Sequence, residues 1–348
     1  MILHNKLGKA ELKLRLENED FKRITLSFYK YIRIQNPQIF RDYLFLNWNE
    51  MGVLGRIYIA SEGINAQLSV PEHNFQKFRE FIDQDPRLQN VPFKIAVEDD
   101  GKSFYKLIVR LREKIVADGL DDDSFDVSNV GNHLTAAEFN HAMSNPETIV
   151  VDMRNHYESE IGRFENAICP DADTFKDELP LVIELLKDKK DKKILMYCTG
   201  GVRCEKASAY LKHHGFQDVN QLYGGIIDYA RQIQAEGLEN KFRGKNFVFD
   251  NRMGERIGGE VISLCHQCGN SCDTHTNCAN DACHLLFIQC ESCREKMNAC
   301  CSQECKEIAA LPIEKQKLLR KNTLKADQKS VFKSRLRPRL TLYHDCSI

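Results

Sequence analysis

The sequence predicts an α/β chain in three parts: an N-terminal αβ unit, a central doubly wound parallel sheet and a C-terminal cysteine-rich module. Three observations predict it. Strand and helix patterns over residues 21–117 follow the order β-α-β-β-α-β. Over residues 133–240, short apolar runs alternate with amphipathic stretches, the pattern of a parallel sheet with helices on both faces. Ten cysteines then fall between Cys265 and Cys305, too dense for core packing alone.

Residues 1–20 are polar and read as an arm or a short helix. Ile24 to Tyr31 reads as a strand, and Pro37 as the first residue of a helix carrying Phe40, Tyr43, Leu44 and Asn47 at helical spacing. Val53–Ala60 and Ile64–Val70 form a strand pair around Ser61-Glu62-Gly63. Phe75, Phe78, Phe81 and Ile82 mark an amphipathic helix, and Pro92–Val97 and Phe104–Arg112 are strand-like. This order is that of a split βαβ, or ferredoxin-like, unit. Two features have two readings each. The basic and apolar alternation of Phe104 to Lys114 suits either an RNA-facing sheet or a lysine- and arginine-protected edge strand. Ser61 to Asn65 is either a plain turn or a source of polar groups for a site.

Residues 118–132 are acidic and rich in Gly, Ser and Asn, as suits an exposed linker. Thr135 and Glu138 have capping-box spacing at a helix start. Thr148–Asp152 is the next strand, and Phe175–Leu186 a helix interrupted near Pro180. Val219–Leu222 is a last short strand and Ile226–Ala235 a closing helix. Between them lies the most informative stretch of the chain. Ile194 to Tyr197 reads as a buried strand that ends at Cys198, and a helical pattern resumes from Cys204. Gly200 and Gly201 permit a tight turn between the two.

A cysteine in such a loop has a lowered pKa. Inward-pointing amides and the helix N-terminus favour the thiolate, which is the nucleophilic form. Cys198 is therefore the candidate catalytic residue, cradled by the backbone of Thr199, Gly200, Gly201 and Val202 as the substrate-binding loop. Arg203 either faces an anion over the sulfur or holds the loop through a salt bridge. Cys204 either resolves a disulfide with Cys198 or is packed inside. In open α/β sheets, ligands bind beyond the carboxyl ends of the strands, and Cys198 occupies such an end.

Cys198-x4-Arg203 between strand and helix resembles the active loop of the rhodaneses, the sulfurtransferases. Val150-Val151-Asp152-Met153-Arg154 with Glu158, and Gly215-Phe216-x-x-Val219-x-x-Leu222-x-Gly224-Gly225, resemble the segments that open and close that domain. Phosphatases of related topology use His-Cys-x5-Arg. Here the loop is one residue shorter and Tyr197 stands for the histidine, which favours a persulfide on Cys198 over a phosphocysteine. Asp152 and Arg154 are expected to hold the architecture by ion pairing.

Cys265-x2-Cys268 and Cys290-x2-Cys293 have metal-knuckle spacing, and Cys278, Cys283, Cys301 and Cys305 are candidates for a second, interleaved set. Structural zinc in both sets competes with free thiols or disulfides in a small helical module. Leu311–Leu340 carries ten Lys or Arg residues against Glu314 and Asp327, densest at Arg335 to Arg339. That composition suits either a solvated tail (residues 311–348) or a nucleic-acid footprint.

The combination of Gly63-Ile64-Asn65, the Tyr197–Lys206 loop, and Cys265-His266-Gln267-Cys268-Gly269 with Cys300-Cys301 resembles the bacterial tRNA uridine hydroxylases of the rhodanese superfamily. The resemblance implies a ferredoxin-like (acylphosphatase-like) domain at 21–117, a rhodanese domain at 133–240 and a cysteine-rich module at 241–310. It implies oxygen-dependent hydroxylation of the wobble uridine in the tRNA anticodon loop, with the essential cysteine at Cys198. O2 is then a co-substrate with an unknown electron donor; no flavin, haem or nicotinamide motif appears in the sequence. The alternatives are a plain persulfide sulfurtransferase serving a small acceptor or carrier protein, and a non-catalytic RNA-binding scaffold. A net charge of −1 singles out no partner. No signal-peptide pattern or membrane-length apolar run is seen, so a cytoplasmic protein with no membrane partner is expected.

Overall fold

The computed structural model describes residues 7–121 and 124–326. The basic cluster Arg335–Arg339 lies outside them. An N-terminal helix α1 (Lys9–Glu17) buries Leu12 and Leu16. The first sheet then forms from β1 (Arg23–Tyr31), β2 (Leu54–Ala60), β3 (Gly63–Pro71), β4 (Lys94–Ile95) and β5 (Leu107–Leu111), in the order β4-β1-β3-β2-β5. Helices α2 (Pro37–Glu50) and α3 (Phe75–Gln84) cover one face. Asn36 caps α2 by accepting from the Ile39 amide, and Pro37 sits at the helix start, where its missing N–H costs nothing. Phe40, Leu44 and Trp48 pack with Phe28, Leu68, Phe78 and Ile82 in a continuous core.

The first four strands have the ferredoxin-like order, with β3 antiparallel to both β1 and β2. β5 extends the sheet as a parallel edge strand on β2, burying Leu107 and Val109 while Arg110 and Arg112 are exposed. The alternation in this stretch is thus that of an edge strand with one face in the core.

A parallel sheet follows: β6 (Asn132–Leu134), β7 (Ile149–Asp152), β9 (Lys193–Tyr197) and β10 (Asp218–Leu222), in the order β6-β10-β9-β7. Its helices are α4 (Ala136–Met143), the short α5 (His156–Ser159), α6 (Phe175–Leu185), α7 (Val202–His213) and α8 (Gly225–Glu236). The two faces carry separate cores. Phe175, Leu179, Cys204 and Leu211 lie on one, and Phe139, Tyr197, Ile226 and Tyr229 on the other. Thr135 and Glu138 close the capping box of α4. Two readings need correction. The strand β6 begins inside the stretch read as linker, because parallel pairing with β10 orders Asn132 to Leu134. And α6 is not interrupted, since it runs through Pro180 with Phe175, Leu179 and Val182 buried on either side of it.

Strand β8 (Gly162–Phe164) lies between β7 and α6 in sequence and pairs with β11 (Phe242–Asn246). The chain after 241 is therefore hydrogen-bonded into the central unit before it reaches the cysteines. The remaining elements are short: β12 (Glu255–Arg256), the hairpin β13 (His275–Asn277) and β14 (Leu286–Ile288), α9 (Glu291–Met297), α10 (Gln303–Ala309) and α11 (Ile313–Ala326). Among the described residues, no helix is long and apolar enough to cross a membrane.

Candidate active site and cysteine clusters

The apolar strand β9 delivers Cys198 to the carboxyl edge of the parallel sheet. There the chain turns through Gly201, whose φ of +95° is left-handed, into α7. A side chain at Gly201 would meet the Tyr29 hydroxyl at 2.8 Å, so close approach also demands glycine there. The turn aims the Gly201 amide at the sulfur, donating to Cys198 Sγ at 3.1 Å. Cys198 is only 1% exposed, yet it lines the cavity described below.

Burial alone would raise the Cys198 pKa. The Cys204 thiol donating to it, the charge of Arg203 and the backbone amides of Cys204 and Arg203 together outweigh burial and bring it down to about 6. The sulfur is thus mainly an anion at neutral pH. Cys204 moves the opposite way: burial, and its hydrogen bond to Cys198, raise its pKa. It is a fully buried thiol that donates to the thiolate.

Arg203 is engaged from behind. Its Nη1 and Nη2 donate to the two Glu158 carboxylate oxygens at 2.7 and 2.8 Å, both side chains being buried. Its guanidinium carbon stands 5.6 Å from the Phe249 ring centre. Glu158 also accepts from the Asn155 amide and the Thr199 hydroxyl, so one carboxylate ties the loop to α5. The Arg203 guanidinium is thus paired with Glu158 while its charge helps to lower the Cys198 pKa. A second buried pair lies beneath it. Arg154 binds Asp152 through Nε at 2.8 Å and Nη2 at 2.6 Å, and the Tyr197 hydroxyl donates to the same Asp152 at 2.7 Å. The tyrosine that replaces the phosphatase histidine points into the core, away from the sulfur's pocket.

Above Cys198 opens a cavity of about 560 Å³. Thr199, Gly200, Val202 and Arg203 line its base; Tyr29, Arg56, Asn65 and Lys94 of the N-terminal sheet form one wall; Val248, Phe249 and Arg252 form another. The walls are fixed by contacts between the units. The Tyr29 hydroxyl donates to Glu205 at 2.8 Å and the Tyr31 hydroxyl to the Val202 carbonyl at 3.1 Å. Lys206 pairs with Glu62 at 2.7 Å, and the Val97 amide donates to Glu255 at 3.1 Å. The Ser61–Asn65 turn is thus more than a turn: Glu62 joins two units and Asn65 faces the cavity. Sequence reasoning passed over Tyr29, Lys94, Phe249 and Arg252. Only Lys94 left a signal, as a lysine inside an otherwise apolar short strand.

The cysteines after 264 gather into two sets. Sulfur atoms of Cys265, Cys268, Cys290 and Cys293 lie within 4.8 Å of one another, as do those of Cys278, Cys283, Cys301 and Cys305. Cys268–Cys290 is 3.6 Å, and Cys283–Cys301 and Cys301–Cys305 are each 3.7 Å. A tetrahedron with metal–sulfur bonds of 2.3 Å has edges of about 3.8 Å. These separations fit four thiolates around one ion and are far too long for disulfides. The knuckle spacing places two ligands on each of two turns. The interleaving arises because the β13–β14 hairpin carries the second set away from the first. Cys272 and Cys300 are buried but belong to neither set.

Comparison with known proteins finds three family matches along the chain. Residues 23–115 match the family described as UPF0176 acylphosphatase like domain, 135–232 the Rhodanese-like domain, and 243–306 the Rhodanase C-terminal family. A protein of Leptospira interrogans named tRNA uridine(34) hydroxylase is 60% identical over 343 residues, covering 98% of this chain and 93% of that one. Proteins of the same name from Pectobacterium carotovorum and Salmonella typhimurium are 54% and 55% identical, covering 92% and 89% of this chain and 90% and 89% of theirs. With all three units matched and near full-length identity above half, this chain belongs to the tRNA uridine(34) hydroxylase family.

Proposed function

We propose that this protein hydroxylates the wobble uridine of tRNA at C5, with Cys198 as the reactive group. One observation carries the reading: a cysteine whose pKa is lowered to about 6 stands at the base of a cavity in a chain 60% identical to a tRNA uridine(34) hydroxylase. A uracil ring inside a stack is out of reach of such a sulfur. A base in the single-stranded anticodon loop can be splayed out into a pocket, and the cavity volume falls in the range of small-molecule sites. Tyr29, Tyr58, Phe104 and Phe249 offer ring faces for stacking, while Asn65, Gln67 and Ser27 offer polar groups to the pyrimidine edge.

In the overall reaction C5–H becomes C5–OH. One atom of O2 enters the base and the other leaves as water, with two electrons and two protons from a donor outside the chain. The role of this chain's residues is to hold the uridine, keep bulk water out and present the sulfur anion. Burial of Cys198 and Arg203 supports the second of these. The short loop, with four residues between Cys198 and Arg203, supports a persulfide formed with a sulfane-sulfur donor rather than a phosphocysteine.

The two cysteine sets are proposed to hold structural zinc. Their four-thiolate composition and closed packing suit a structural rather than a catalytic ion, because no ligand position is left for water. Zinc bound there would brace the segment whose Phe247, Val248 and Phe249 run past the Cys198 loop.

The test is complementation. A strain lacking the gene receives wild-type protein or Cys198→Ala, and its tRNA nucleosides are read by mass spectrometry. Wild type should restore 5-hydroxyuridine or its derivatives, and the variant should not. Restoration by the variant rejects the role of Cys198. Lack of restoration by wild type, with thiosulfate turnover in the absence of tRNA, favours the sulfurtransferase.

A further inference from the structure

Four cations line the Cys198 cavity, and two are neutralised: Arg203 by Glu158, and Arg252 by Asp250 and Glu255. Of the other two, Arg56 donates to the Phe249 carbonyl, and Lys94 is left without a polar partner for its side chain among the described residues. It lies on the edge strand β4 and is 4% exposed. Among the described residues its side chain makes no ion pair and no hydrogen bond; its Nζ rests 4.4 Å from the centre of the Tyr29 ring. A methyl group at Gly200 would lie 3.7 Å from Lys94 Cδ, so the lysine chain passes directly over the cysteine loop. Asp228, Cys198 and Glu205 contribute attraction from farther off, against a burial cost that lowers the Lys94 pKa. A buried ammonium without an anion in contact is costly, and a ligand anion would relieve that cost.

Lys94 also stands at a boundary. A second cavity of about 370 Å³ shares Tyr29 and Lys94 with the first; Tyr31, His133 and Tyr223 are among its walls, as are the carboxylates Glu205, held by Tyr29 and His133, and Asp228. Tyr223 is 43% exposed, with its ring edge-on to His133 at 6.2 Å. An exposed tyrosine beside a cavity is a stacking platform for a base. Two cavities of nucleoside scale, joined at one unpaired cation, match the repeat of a nucleic-acid strand: base, phosphate, base.

We propose that Lys94 binds the phosphate joining the target uridine, held over Cys198, to an adjacent nucleotide whose base occupies the second cavity against Tyr223. This rests on the tRNA reading above and adds a residue, a phosphate and a second base to it. Lys94 is then a substrate-binding residue delivered by the N-terminal unit, which gives that unit a function beyond covering the cavity.

The test uses the full-length protein and a synthetic anticodon stem–loop with uridine at the wobble position. Affinity is measured over a range of salt concentrations for wild type, Lys94→Met, Lys94→Arg and Tyr223→Ala. Lys94→Met should lose roughly tenfold or more in affinity, as for loss of a charge-assisted contact. Its slope of log K against log salt should be smaller by about 0.7, the value for one phosphate on a single strand. Lys94→Arg should keep the slope. Tyr223→Ala should lose about fivefold or more without changing it. A readout independent of how the variants fold uses wild-type protein with a neutral methylphosphonate on either side of the uridine. One of the two substitutions should weaken binding as much as Lys94→Met does, and Lys94→Met should be insensitive to it. A wild-type slope and affinity in Lys94→Met, or equal indifference of wild type to both methylphosphonates, overturns the proposal. If wild-type protein binds neither the stem–loop nor tRNA, the tRNA reading itself falls, a result distinct from failure of Lys94 alone.

Discussion

Replacing Cys204 by alanine isolates the largest influence that lowers the Cys198 pKa. Cys204 is fully buried, and its thiol donates to the Cys198 thiolate. The change removes that donor while sparing Arg203, Glu158 and the loop amides. A hydrogen bond to a charged group contributes about 1.5–3 kcal/mol, and a thiol is a weak donor, so the low end applies. One pH unit corresponds to about 1.4 kcal/mol, so the Cys198 midpoint should rise from about 6 to roughly 7. At pH 7 the thiolate share then falls from about 90% to about half. Arg203 and the amides remain, so the midpoint should stay below that of a free cysteine, about 8.5. The assay is iodoacetamide alkylation as a function of pH, read on the Cys198 peptide by mass spectrometry so that the other cysteines do not interfere. The midpoint is the quantity to compare. Absolute rates mislead, because a more basic thiolate is also a better nucleophile and partly offsets its lower abundance. A wild-type midpoint near 8.5, or an unmoved midpoint in Cys204→Ala, would refute the electrostatic description of the loop.

Further outcomes follow from the same geometry. Gly225→Ala should destabilise the protein by at least about 1 kcal/mol in thermal or denaturant unfolding, since φ is +69° and a Cβ there would lie 2.5 Å from the Cys198 carbonyl oxygen. The His133 pKa is raised by its hydrogen bond to Glu205. Its contribution is therefore present below the ordinary histidine pKa and fades as pH rises through the raised value. His133→Gln should narrow the stability gap between acidic and alkaline buffer by roughly 0.2–1 kcal/mol, as for a half-exposed pair. Elemental analysis should find two zinc ions per chain, falling to one in Cys301→Ser, and chelation should lower the melting temperature. Absence of near-stoichiometric metal would contradict the assignment.

Much of the fold is local and so can be read along the chain. The period-two strands, the capping box at Thr135, the proline at the start of α2 and the strand–cysteine–glycine–helix sequence each carry their own signal. The two cysteine sets were legible because knuckle spacing reflects ligand geometry. The rest depends on contacts between distant residues. Nothing near Arg203 in sequence marks Glu158 as its bidentate partner, 45 residues earlier. Tyr29 reaches Glu205 across 176 residues, and in sequence it looks like any strand tyrosine. Lys94 gains its meaning from the fold, which buries it against the Tyr29 ring with no carboxylate in direct contact among the described residues. The strands β6, β8 and β11 were missed because short strands are defined by partners rather than by composition.

The role of Cys198 is tested most directly by isotope labelling. Cells lacking the gene are complemented with wild type or Cys198→Ser and grown under 18O2, and their tRNA nucleosides are weighed. If the sulfur anion serves an oxygen-dependent hydroxylation, wild-type cells yield wobble 5-hydroxyuridine or its derivatives carrying one heavy oxygen at C5, and Cys198→Ser cells yield none. Equal labelled nucleoside in both strains, or wild-type nucleoside whose C5 oxygen is unlabelled, would contradict it.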